Sequence, residues 1–121
     1  MDIEIKHLEF IGSAKKDVLN FPKVARRRIG HELYLVQTGE TPKEAKALKG
    51  LPGVMELVER YDKDAYRAVY AADLGGVVYV LHCFKKKSKK GIKTSREDMD
   101  LIRQRLGRAK EQSKEKCSEK N

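Results

Sequence analysis

Arg67, His82 and Lys86 are the residues of this chain whose types and spacing best suit work on a phosphodiester. Gly75-Gly76 is a strong two-residue hairpin signal between two strand-like runs. It sets Leu74 opposite Val77, Val69 opposite His82 and Arg67 opposite Phe84. Opposed residues share a face, which collects Arg67, Val69, Val80, His82 and Phe84 on one side of the sheet. Arg67 and His82 are then diagonal neighbours at about 7–8 Å, and Lys86 becomes the other diagonal neighbour if the strand continues. A guanidinium offers a planar fork to phosphate oxygens. Imidazole titrates near neutrality and suits acid–base work. Lys86 can hold a phosphate or, if the lysines beside it depress its pKa, donate a proton. The structural alternative for Arg67 is a cross-strand ion pair with Glu59, and a strand histidine is more often a satisfied structural group.

The preceding hairpin is read with a three-residue loop at 62–64, which puts Glu59 opposite Arg67 and Tyr61 on the same face. A four-residue loop would oppose Arg60 to Arg67, a like-charge pair that sheets disfavour. Glu59 or Tyr61 can then serve as a base or a stacking platform, and Glu56 is a weaker candidate. Residues 85–93 hold six lysines in nine positions. Lys85, Lys87, Lys89 and Lys90 are assigned to nucleic-acid backbone contact, with a solvated charge run as the alternative. His7 and His31 are not expected to be catalytic.

The elements that must position these groups follow from periodicity. Residues 3–10 read as a first strand. Ser13 suits the N-cap of a short helix through Leu19, closed by Asn20-Phe21-Pro22. From Pro22 to Gln37, Ala25, Ile29, Leu33 and Val36 form one helical stripe, ended by Thr38-Gly39. Thr41-Pro42-Lys43-Glu44 has capping-box spacing and predicts one helical turn. Residues 54–61, 65–72 and 77–84 are strand-like. The face carrying Ala68, Tyr70, Ala72, Tyr79, Leu81 and Cys83 is apolar and is assigned to the core under helices, leaving the Arg67 face open. Thr94-Ser95-Arg96-Glu97 is a second capping box, followed by Met99, Ile102, Leu106 and Ala109 at helical steps. The expected architecture is an α+β domain over residues 1–109, in the order β-α-α-β-β-β-α around an antiparallel sheet, with a polar, frayed tail at 110–121.

Composition agrees with one modest domain: 121 residues, 40% hydrophobic, 37% charged, net charge +9. Such a surplus points to a polyanion or an acidic protein partner. The longest apolar stretch, Val77–Leu81, is far short of the ~20 residues that span a bilayer, so no membrane partner is expected. The first ten residues lack the apolar core of a secretory signal. Cys83 and Cys117 are far apart, with neither CxxC nor metal-ligand spacing, which favours a reducing cytoplasm and no metal or other cofactor.

The segments LKGLPGVMEL, YRAVY, VYVLHCFKKKSKKG and TSREDMDLIRQRL, in this order, resemble the phage-derived HigB branch of the RelE/ParE toxin superfamily, over roughly residues 1–110. The resemblance implies the toxin of a type II toxin–antitoxin pair: a small RelE-like domain that enters the ribosome and cuts mRNA without a metal. It also implies a helix-turn-helix HigA-like antitoxin as partner. In it Arg67 takes the place of the strand arginine at the scissile phosphate, and Lys85, Lys86 and Lys87 match the basic segment after the last strand. Arg26, Arg27 and Arg28 would touch ribosomal RNA, an acidic antitoxin segment or only water. Where many relatives carry Glu-Leu-Arg on the second strand, this chain has Glu56-Leu57-Val58, one basic group fewer. The alternatives are a non-enzymatic ParE-like toxin bound to a protein such as gyrase, and a degenerate toxin that only binds RNA.

Overall fold

A computed structural model describes residues 4–87 and 94–119. Five strands and three helices follow the order β1 (His7–Phe10), α1 (Ala14–Leu19), α2 (Lys23–Gln37), β2 (Ala45–Ala47), β3 (Val54–Tyr61), β4 (Asp64–Leu74), β5 (Val77–Lys87) and α3 (Arg96–Glu119). One sheet runs β1-β5-β4-β3-β2. The α+β class is as expected, but the sheet is mixed, because β1 lies parallel to β5.

Residues 41–44 form no helical turn. Ala45 N–H closes a turn on the Pro42 carbonyl, and the chain enters the edge strand β2, antiparallel to β3. Tertiary pairing overrides the local capping signal here. At the other end, residues beyond 110 continue α3 to Glu119 rather than leaving the helix. The Lys, Glu and Gln of that stretch are all good helix formers.

Both faces of the sheet are covered. On one, Ala25, Ile29, Leu33 and Val36 of α2 pack with Ala14 and Val18 of α1 against Leu57, Ala68, Tyr70, Val78 and Val80. On the other, Ile102, Leu106 and Ala109 of α3 pack on Val54, Val69, Ala71, Tyr79 and Leu81. The Arg67 face is therefore the floor under α3 and not an open surface.

The β4–β5 register explains the difference. Leu74 pairs with Val77, Val69 with His82 and Arg67 with Phe84, as counted from the Gly-Gly turn. Between these points the ladder slips twice: Ala71 faces Tyr79 and Tyr70 faces Val80. Leu81 is one extra residue, a β-bulge, and a compensating extra residue in β4 lies between Ala71 and Leu74. The bulge keeps Leu81 and His82 on the same side and sends Val80 to the α1/α2 side, reversing the expected faces of Tyr79, Val80 and Leu81.

Glu32 of α2 is buried within the first core cluster, and its Oε2 has no partner among the described residues. Burial, then a hydrogen bond with Glu59, then the charges of Glu59 and Glu44, raise its pKa to about 8 against an opposing Arg28. A carboxyl whose folded pKa exceeds its unfolded value stabilises fully only below the unfolded value, and that stability is lost as pH rises through the folded one. Urea denaturation should therefore show stability falling from about pH 4.5 towards 8, and Glu32→Gln should flatten that slope.

Candidate functional site

The β3–β4 turn decides which carboxylate meets Arg67. Asp62 and Lys63 both adopt positive φ (48° and 70°), and Tyr61 pairs with Asp64. This two-residue turn matches the type I′ geometry that favours tight hairpins. The loop is one residue shorter than the three-residue reading. Val58 consequently opposes Arg67, while Glu59 pairs with Tyr66 and points to the α2 side, where its Oε2 lies 3.8 Å from Arg28. Tyr61 also leaves the Arg67 face and is exposed at the turn.

Glu56, two positions before Val58, takes the place assigned to Glu59. Arg67 Nη1 donates to Glu56 Oε1 at 3.0 Å, with both side chains largely buried. Thr94 Oγ1 donates to Glu56 Oε2 at 3.3 Å from just before α3. A groove of about 310 Å³ opens beside this pair, lined by Lys46, Ala47, Leu48, Lys49, Glu56, Arg67, Thr94 and Met99. Lys46 lies opposite Glu56 on β2. The edge strand and the residues after it thus bring two lysines that no periodicity pointed to, because no strand is expected from the sequence at residues 45–47.

His82 and Lys86 do share the α3 face with Arg67. One carboxylate engages both. Asp98, in the first turn of α3, lies 2.9 Å from His82 Nε2 through Oδ1 and 3.2 Å from Lys86 Nζ through Oδ2. Ser95 is the N-cap: its hydroxyl donates to Asp98 Oδ2 at 2.8 Å and accepts the Asp98 N–H at 3.1 Å. The helix is thus capped by Ser95 with Asp98 at the third position, one residue beyond the capping box expected at Thr94–Glu97. Burial alone would raise the Asp98 pKa, but hydrogen bonds from His82, Ser95 and Lys86 outweigh it and hold the carboxyl below its ordinary value. His82 is 7% exposed and stacks on Phe84 with ring centroids 4.6 Å apart. Its Nδ1 is buried without a partner among the described residues, so Nε2 is the ring nitrogen that meets the site.

The lysine run divides between the two sides of the sheet. Lys86 pairs with Ala65 on the α3 side, whereas Lys85 pairs with Tyr66 and sits 3.8 Å from Asp64. Lys85 lines a separate cavity of about 410 Å³ with Asp17, Phe21, Tyr66 and Cys83. Burial, then the Asp17 charge, pushes the Cys83 thiol up to about 12, leaving it a poor nucleophile. Lys87, at the end of β5, pairs with Asp64. Lys89 and Lys90 lie outside the described residues.

Arg105 is a further residue that sequence reading passed over. It is 8% exposed, and Nη1 donates to the Leu81 carbonyl at 2.9 Å while Nη2 donates to Ser13 Oγ at 3.1 Å. It thereby ties α3 to the bulge and to the start of α1. Gly12, at φ +59°, leaves the room: a Cβ there would stand 2.9 Å from the guanidinium carbon. An arginine on an otherwise apolar helical stripe was the available signal.

Comparison with solved structures places the molecule in the RelE-like fold class. Free E. coli toxin RelE bearing two arginine-to-alanine substitutions superimposes with a TM-score of 0.57 at 19% identity, over 86% of this chain and 97% of that one. The isolated E. coli RelE toxin gives 0.54 at 20% identity, over 82% and 97%. The family model described as phage-derived protein Gp49-like matches residues 16–107, and the chain belongs to that family. No curated protein matches the sequence. Among the described residues, no helix is long and apolar enough to cross a membrane.

Arg105→Ala should strand the Leu81 carbonyl, at a cost of about 1–3 kcal/mol. Urea denaturation checks the loss. Hydrogen exchange should report faster opening of both β5 around Leu81 and the first turns of α3.

Proposed function

We propose that this chain is the toxin of a type II toxin–antitoxin pair of the HigB kind, an endoribonuclease that cuts mRNA on the ribosome without a metal. The observation that carries the reading is the buried Arg67–Glu56 pair on the floor of a lysine-edged groove, on a RelE-like sheet. Arg67 is suited to bind the scissile phosphate and to stabilise charge on its oxygens. Glu56 is the carboxylate within reach of that phosphate and takes the proton from the attacking 2′-hydroxyl. Lys86 and His82 supply further positive charge and a proton for the departing 5′-oxygen once RNA engages them. Lys46 and Lys49 steer the strand into the groove, and Lys85, Lys87, Lys89 and Lys90 extend the cationic surface. Tyr61 lies on the far side of the sheet from Arg67 and takes no part in this scheme.

The partners follow from the same reading: mRNA within the cytoplasmic ribosome, and a helix-turn-helix antitoxin encoded beside the toxin. The +9 charge supports a polyanionic partner.

Primer extension on translated mRNA tests the activity. Wild type should produce new 5′ ends within codons, and Arg67→Ala should slow cleavage about 10²–10³-fold while remaining folded by circular dichroism. Glu56→Gln should fall similarly. A folded Arg67→Ala protein with full cleavage removes Arg67 from the mechanism, and intact mRNA alongside a DNA damage response would instead favour a protein target.

A further inference from the structure

We propose that His82 and Lys86 form a phosphoryl-oxyanion site that Asp98 occupies in the free protein, so that a phosphodiester must displace this carboxylate to bind there. Two oxygens of one carboxylate meet an imidazole nitrogen at 2.9 Å and an ammonium at 3.2 Å. Two non-bridging oxygens of a phosphodiester, which like the carboxylate carries one negative charge, present the same acceptors to the same donors. The site reaches solvent at its Lys86 end, where the Lys86 side chain is 26% exposed and that of Asp98 21%, while the His82 side chain is 9% exposed.

The way α3 is fastened makes exchange inexpensive. Its buried apolar anchors, Ile102, Leu106 and Ala109, lie beyond the first turn, as does the Arg105 bond to Leu81. The first turn and the residues before it add only the partly buried Met99 and the 3.3 Å bond from Thr94 to Glu56. Within the start of its own helix, Asp98 is held through the Ser95 cap. Releasing Asp98 therefore requires local opening of one turn, while the rest of α3 stays docked. Helix ends open at low free energy. The free toxin would thus keep an imidazole and an ammonium engaged by its own carboxylate until a strand of phosphates arrives.

The proposal rests on reading His82 and Lys86 as phosphate-handling groups, but its test does not depend on cleavage. Full-length wild type, Asp98→Asn and Asp100→Asn are titrated at 0.15 M salt with a fully 2′-O-methylated RNA decamer, which cannot be cut, and separately with inorganic phosphate. Asp100 is an exposed carboxylate on the same helix, paired with Arg103 at 3.3 Å, and controls for the loss of one charge. Asp98→Asn should bind about tenfold more tightly than wild type, and Asp100→Asn within about twofold of it. A gain confined to RNA assigns the site to backbone phosphodiesters, and a gain with inorganic phosphate alone assigns it to small oxyanions. Equal affinities for wild type and Asp98→Asn overturn the proposal, as does an equal gain from Asp100→Asn. If Asp98→Asn fails to fold, the ¹⁵N resonance of His82 Nε2 in wild type decides. It should move when RNA saturates the protein, and an unmoved signal counts against the displacement.

Discussion

The hydrogen bond from Arg105 to the Leu81 carbonyl fixes the feature on which the site is built. Leu81 is the surplus residue of β5, and without it strict alternation would fit either the apolar contacts of Tyr79 or the position of His82, not both. The bulge lets Val78 and Val80 face α1 and α2, Tyr79 and Leu81 face α3, and His82 still join Arg67. A bulge leaves backbone groups outside the ladder, and a buried carbonyl without a donor is costly. Arg105 meets that need from α3 and reaches Ser13 with its other nitrogen. Sheet phase, α3 docking and the position of α1 are thus joined through one guanidinium.

Much of this was legible in the sequence because two signals are local. The Gly75-Gly76 turn set the pairing at Leu74–Val77, and the helical stripes of α2 and α3 gave their buried residues. The pairing of Val69 with His82 and of Arg67 with Phe84 also followed, although only because two irregularities cancel between them. The faces of Tyr79, Val80 and Leu81 did not follow, since a bulge leaves no mark in a uniformly apolar run. The neighbour of Arg67 was misread for a related reason. Asp62 and Lys63 both take left-handed conformations without a glycine to announce them, so the turn is shorter than it looks and Glu56 replaces Glu59.

The remaining surprises are charges whose partners lie far away in the chain. Nothing in the spacing of Asp98 singles it out, yet it bridges groups on β5. Lys46 and Lys49 reach the Arg67 groove only because residues 45–47 join the edge of the sheet. Together these contacts give a floor of basic groups with built-in carboxylates, Glu56 paired with Arg67 and Asp98 paired with Lys86 and hydrogen-bonded to His82. Such pairing reduces self-repulsion in a chain of net charge +9 and holds the basic groups at fixed positions.

A double-mutant cycle on His82 and Asp98 is the most direct measurement of this arrangement. Urea stability would be compared for wild type, His82→Gln, Asp98→Asn and the double variant. A coupling energy of about 1 kcal/mol or more is expected if the first turn of α3 is fastened to the cation cluster as described. Losses that add within about 0.5 kcal/mol would mean the two side chains do not meet in solution, contradicting the closed site.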